Sequence, residues 1–199
     1  MPCFQKRVFN LKSFWKAAND AFESIFKLRQ HKSEDTVDRK FTERIMLAVT
    51  QVNGCRYCSF GHTQAALKTG LDSEEIRELL SGDLSNAPQK EITALLFAQH
   101  YAESAGQPDP ETWEKLVLTY GQNNALKILA NIRMITIGNL LGNTFDAFFF
   151  RTTGRGSHPE SSMFQELGVL AGSVFILPAA MLKQRFSKPQ NLSPIAEIR

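Results

Sequence analysis

Apolar residues return every three or four positions along most of this chain, the spacing of helices that bury one face. Leu11, Phe14, Trp15, Ala18, Phe22 and Ile25 form the first such stripe and predict an amphipathic helix over 10–30, with its lysines on the opposite face. A stripe of this kind docks on a core or on a neighbouring subunit. Val37, Phe41, Ile45, Leu47 and Ala48 predict a second helix, from about Ser33 or Asp35 to Val52. Asn53-Gly54 is a turn signal, so a third helix opens at Cys55 and runs to Thr69, with Gly70 as its left-handed stop. Asp72-Ser73-Glu74-Glu75 is an N-cap with an acid three residues on, and it starts a short helix ending at Gly82.

Pro88 suits the first turn of a helix over 88–105 closed by Gly106, and Asp109-Pro110-Glu111 begins another that ends near Gly121. From Gln122 to about Phe149 the apolar pattern is long and dense, and it contains Gly138 and Gly142, four apart, where another helix can come close. Beyond the breakers of Thr152 to Pro159, a last apolar helix covers roughly 161–186 with Pro178 as its kink, and a loose tail follows from Ser187. No alternating strand run bounded by hairpin turns interrupts this series. The fold class expected is all-α, about eight helices in a single helical domain over 1–199. Its core spans about 33–150, with an N-terminal amphipathic helix in 1–32 and a C-terminal helix and tail in 151–199.

Composition alters this picture little. The 199 residues are 43% apolar and 22% charged, ordinary for a globular protein able to bury a core. The net charge of +3 is gathered at the N-terminus, where Lys6, Arg7, Lys12, Lys16, Lys27, Arg29 and Lys32 face only Asp20 and Glu23. No nucleic-acid recognition motif accompanies them, so they read as a solvated helix face. The stretch Leu167 to Leu182 is marginal for a bilayer and contains Pro178, and the N-terminus shows no uninterrupted apolar h-region. A cytoplasmic protein without a membrane span or a nucleic-acid partner is expected.

Candidate chemistry sits at Cys55-Arg56-Tyr57-Cys58 and His62. On a helix, positions 55, 58 and 62 fall within about 60° of one another, one reactive stripe with Tyr57 pointing away and Phe60, Ala65, Ala66 and Leu67 on the buried side. A thiol at a helix N-terminus has its thiolate favoured by unpaired N–H groups, and a second cysteine three residues on is near enough for a disulfide. His62, a turn beyond Cys58, can hold or pass a proton, and a histidine in that role needs an acid behind it. Glu43 is the candidate: roughly 18 Å from Cys55 along a straight helix, it faces the dithiol if the chain folds back at Asn53-Gly54. Together with Glu43, the two cysteines and His62 contain four possible zinc ligands. A structural zinc site draws its second pair from a separate knuckle, which is missing, so redox chemistry is the reading and no metal is expected.

Glu43, eleven intervening residues, then Cys55-x-x-Cys58-x-x-x-His62, preceded by Ala48-Val49-Thr50-Gln51-Val52-Asn53-Gly54, resembles the signature of the carboxymuconolactone decarboxylase superfamily. The likeness covers about 35–105 and is nearest to the redox branch, the alkyl hydroperoxidase D-type proteins. It implies an all-helical homo-oligomer, a trimer or hexamer, that reduces hydrogen peroxide or organic hydroperoxides. It further implies Cys58 as peroxidatic thiol, Cys55 as resolving thiol, and His62 and Glu43 as proton relay. No bound cofactor is implied; an external lipoyl-type or thioredoxin-like dithiol restores the pair. The helix-dipole argument alone favours Cys55 as the more activated thiol. Some relatives carry His where Tyr57 stands, and a tyrosine is a poor proton shuttle near neutral pH.

Other readings stay beside this one: a thiol–disulfide exchange protein, or a redox-sensing module that binds through the basic N-terminal helix. Asn139, Asn143 and Asp146 form either a polar stripe satisfied by neighbouring helices or the lining of a seam or channel. Phe148-Phe149-Phe150 is core, subunit contact or an apolar mouth. Cys3 reads as a free thiol, and His31, His100 and His158 as surface or satisfied residues.

Overall fold

Helices are the only regular structure among the described residues, 4–28 and 36–187, of the computed structural model of the protein. In chain order they are α1 (Leu11–Leu28), α2 (Arg39–Asn53), α3 (Arg56–Thr69), α4 (Ser73–Ser81), a 3₁₀ turn (Gln89–Glu91), α5 (Ile92–Glu103), α6 (Pro110–Thr152) and α7 (Met163–Phe186). The all-α fold expected from the periodicity is the one observed. Gly121, at φ 75° and ψ 159°, divides α6 into 110–120 and 122–152, as the breaker pattern predicts.

Three local expectations need correction. α2 begins at Arg39, after the expected Ser33 or Asp35, because Asp38 is its cap and accepts the Phe41 N–H at 2.8 Å. The helix expected over 88–105 is a 3₁₀ turn followed by α5. Asp72 does cap α4 by accepting the Glu74 N–H, but Glu75 does not reach back to it; its carboxylate turns inward to Arg44, Nε to Oε1 2.5 Å. Cys3, His31 and the tail beyond Ser187 lie outside the described residues.

α6 is the spine. Its middle section supplies Leu126, Ile128, Leu129 and Ile132 to a core shared with Ile45 and Leu47 of α2, Leu95 of α5 and Leu79 of α4. Farther along, Ile137 and Leu140 join a second cluster with Phe9, Phe14, Ala21 and Val169, which seats α1 and α7 on the same helix. The stripe of α1 is buried at Phe14 and Ala18 as expected, whereas Leu11 and Trp15 remain well exposed. Leu11 lies across α7 at Gly172, where an added Cβ would stand 3.3 Å from its Cδ2.

Two buried ion clusters fix the joints. Arg44 reaches Glu75 and, at 3.1 Å, the buried Glu91, so α2, α4 and the 3₁₀ turn meet on one guanidinium. Burial pushes the Glu91 carboxyl up, and Arg44 opposes that shift. Arg151, near the end of α6, holds the fully buried Glu166 at 2.9 and 3.1 Å and thereby anchors the start of α7. By length and composition α6 and α7 are each long and apolar enough to cross a membrane; 56% of the apolar window in α6 is buried against 17% in α7.

Arg44→Met leaves the buried Glu91 and the half-buried Glu75 beside an apolar chain. A loss of about 3–5 kcal/mol is expected in urea unfolding, the range for breaking a buried pair from one side.

Candidate active site

Two adjoining helix ends create the site. Gly54 stops α2 in the left-handed region at φ 67°, its N–H bonded to Thr50 O at 2.8 Å. The chain can then reverse at once into α3, whose N-cap is Cys55 at φ −74° and ψ 108°. A sulfur does the work usually given to Ser or Asp: Cys55 Sγ accepts the Cys58 N–H at 3.3 Å. The two sulfurs stand 2.6 Å apart as free thiols, so an S–S bond of about 2.0 Å needs little movement. Cys55 has no exposed surface and Cys58 is half-buried.

α6 closes the back of this turn. A Cβ added at Gly142 would stand 2.7 Å from Cys55 Sγ and 3.9 Å from Cys58 Sγ, whereas nothing lies within 4 Å of one at Gly138. Of the two glycines marked in the sequence, only Gly142 is in close contact, and what comes close is the cysteine turn. Tyr57 is 42% exposed, as the helical wheel expects, but one edge of its ring lies 3.6 Å from the same point on α6. Arg56 donates to the Tyr57 hydroxyl at 2.8 Å and pairs with Asp146 at 2.5 Å. Phe60 and Leu67, expected on the buried side, are exposed; Ala66 alone of that group is fully buried.

Asn139 and Asn143 of α6 are satisfied by neighbouring segments, the first of the two readings of that polar stripe. Asn139 donates to Thr50 Oγ1 at 3.0 Å and accepts from Asn53 at 3.1 Å. Asn143 donates to Asn53 O at 2.8 Å and to Arg7 O at 3.1 Å. All of these side chains except that of Arg7 are buried.

Residues 4–9 strap the same turn from outside. Arg7 donates to Asn53 Oδ1 at 3.2 Å and to Ala102 O at 2.9 Å. Lys6 lies over Gly54, its Cε 3.7 Å from where a Cβ would stand, with its ammonium 3.8 Å from Asp146. Sequence reasoning placed Lys6 and Arg7 on a solvated face. Their charge was legible, but no local pattern marks a segment that returns 46 residues later to a turn.

His62 and Glu43 meet across α3 and α2, Nδ1 to Oε2 2.8 Å. An ionised Glu43 accepts from Nδ1–H, which leaves Nε2 as the basic nitrogen. The fold-back at Asn53-Gly54 therefore brings together the acid and the histidine that the sequence singled out. His158 and His100 are satisfied by backbone: His158 Nδ1 accepts the Glu160 N–H and His100 Nε2 accepts the Asp109 N–H, each at 3.0 Å.

The two thiols are electrostatically unequal. The Cys58 S–H directed at Cys55 outweighs burial, and with the N–H groups of Cys58 and Tyr57 and the charge of Lys6 it brings the Cys55 thiol down to about 7. The same sulfur contact, reinforced by burial, pushes Cys58 up, and Asn139 only partly offsets it. The arrangement is a buried thiol ready to ionise, touching a more accessible one held neutral, with a carboxylate–imidazole pair one turn along.

Residues 19–100 match the model of the carboxymuconolactone decarboxylase family, which takes in Glu43, Cys55, Cys58 and His62 and leaves the strap, α6 and α7 outside. No curated protein and no solved structure matches the chain.

Two outcomes are expected at this turn. Titration of the reduced protein by ultraviolet thiolate absorbance gives a first midpoint at about 7; Lys6→Gln moves it upward and Lys6→Arg restores it. In Gly142→Ala the new methyl must displace Cys55, which lowers stability by about 1–3 kcal/mol in urea unfolding and slows disulfide closure measured by free-thiol assay.

Proposed function

Since residues 19–100 match the model of the carboxymuconolactone decarboxylase family, we propose that the dithiol on that segment makes this chain a cysteine-dependent peroxidase of hydrogen peroxide or organic hydroperoxides. The observation that carries this reading is the free sulfur pair at 2.6 Å, one member sealed in and the other within reach of solvent. Peroxide meets Cys58, the accessible sulfur. Because that thiol is held neutral, its proton has to leave as the attack begins, and the His62–Glu43 pair is the base one turn away.

The Cys58 thiolate attacks the O–O bond, becomes a sulfenic acid and expels an alkoxide or hydroxide, which takes the proton from His62 as alcohol or water. Cys55, its thiol brought down to about 7, then attacks Cys58 Sγ as the thiolate, forming the disulfide and expelling hydroxide, which leaves as water after protonation. Both electrons delivered to the peroxide come from the two thiols. An external dithiol of lipoyl or thioredoxin-like type returns them by exchange through a mixed disulfide. The low Cys55 value thus suits the resolving role, and the raised Cys58 value supplies the reason for a relay.

A second reading, thiol–disulfide exchange without peroxide turnover, is favoured by one specific fact. A thiol at about 7 is near the optimum for exchange at neutral pH.

Stopped-flow oxidation of the reduced protein, with disulfide formation followed by mass, separates the two. Peroxidase action predicts oxidation much faster than that of a free model thiol. It is abolished by Cys58→Ser and slowed about a hundredfold by Glu43→Gln. A dithiol that cycles with reductants but meets peroxide no faster than the model thiol leaves exchange as the function.

A further inference from the structure

α7 is apolar on both sides, and the fold covers only one of them. Its inner side, at Val169 and Ala180, is buried, with α1 and α6 alongside. On its outer side Phe164, Phe175 and Phe186 are 80%, 76% and 79% exposed, and Leu167, Val174 and Leu182 stand between them about half or more exposed. The three phenylalanines are spaced by eleven residues, three turns of helix, so they lie in one row. Each exposes on the order of 150 Å², and with the aliphatic residues between them the face amounts to roughly 800 Å². A monomer's largest apolar patch is about 300–600 Å², whereas about 800 Å² per partner is the size of a standard protein interface.

We propose that the outer face of α7 pairs with the same face of a second copy of this chain, across a two-fold axis passing beside Phe175. The row is self-complementary about that point. A half-turn sets Phe164 of one copy against Phe186 of the other and brings the small residues Ala171 and Ala179 together, while Phe175 meets itself. Lipid is the other medium able to cover such a face, and the charge pattern speaks against it. A helix lying on a membrane carries cations on the polar face that backs its apolar one, yet residues 167–182 contain no charge at all. The nearest charges on α7 are the buried Glu166, held by Arg151, and Lys183 and Arg185 at the far end. A membrane-spanning role would require α7 to leave α1 and the Arg151–Glu166 anchor. The face lies outside the family-matched segment, so this association is a property of the C-terminal part of the chain.

Light scattering on the full-length protein tests this independently of any peroxide assay. The wild-type mass is expected to be an even multiple of the chain mass, and Phe175→Asp, at a position open to solvent within one copy, is expected to halve it with unchanged far-ultraviolet circular dichroism. A photo-cross-linking phenylalanine analogue at position 175 is expected to join two chains at α7. A monomeric wild type, or a mass unmoved by Phe175→Asp, overturns the proposal. So does a wild type that floats with phosphatidylglycerol-containing vesicles and loses flotation in Phe175→Asp, which assigns the face to lipid.

Discussion

At Gly142 the backbone of α6 comes so near the cysteine turn that one added carbon would lie 2.7 Å from Cys55 Sγ. The site depends on this contact in several ways at once. It lets Cys55 be sealed from solvent while remaining an N-cap, and it brings the flanking amides of the same helix, Asn139 and Asn143, into line with the end of α2. Those amides occupy the carbonyl and side chain of Asn53, so the end of α2 is held where Gly54 must reverse the chain. The reversal in turn carries Glu43 to His62. A shift of α6 by one residue would replace a hydrogen by a side chain at the sulfur and disengage the amides together.

The difference between the thiols follows from their places on the turn. Both belong to one helix N-terminus, but only Cys55 is the cap, and its sulfur points where N–H groups converge. Cys58 is inside the first turn, partly desolvated, and its hydrogen is directed at its neighbour. A pair arranged this way shares one proton near neutral pH and does not carry two charges, so exposure and ionisation are assigned to different sulfurs. Exposure decides which sulfur meets a bulky partner; ionisation decides which is ready to close the disulfide.

Most of the framework was legible because it is written in local chemistry. Periodicity located the helices, Gly54, Gly70 and Gly82 marked three left-handed stops, and Asp72 and Asp109 marked two caps. His62 was legible from its place one turn beyond Cys58, whereas Glu43 stood out from an ordinary surface acid only through the spacing of the family signature it resembles; the turn between them explains why nineteen residues of separation end in contact. What the sequence hid is long-range. Glu75 looks like a capping acid until Arg44, 31 residues away, supplies a stronger partner. Tyr57 looks outward on a helical wheel, but the wheel cannot show that α6, lacking a side chain at 142, leaves room for one edge of its ring. Lys6 and Arg7 look like surface charge until the strap is laid over the turn.

The choice of amides behind the dithiol has its own logic. Asn139 is fully buried and close enough to Cys58 to moderate the rise in its pKa. A carboxylate there would oppose any thiolate in a space with little water, and a lysine would fix one permanently while leaving a buried cation after oxidation. An amide donates to sulfur without carrying charge, so it serves the reduced pair and remains satisfied by Thr50 and Asn53 when the pair is a disulfide. The cations, Lys6 and Arg56, are kept at the more exposed edge and tied to Asp146, where water screens them. A dithiol that must lose and regain two protons in each cycle is thereby surrounded by neutral donors at its core and by compensated charge at its rim, so the buried thiolate of the reduced pair is met by hydrogen-bond donors and the disulfide leaves no cation buried beside it.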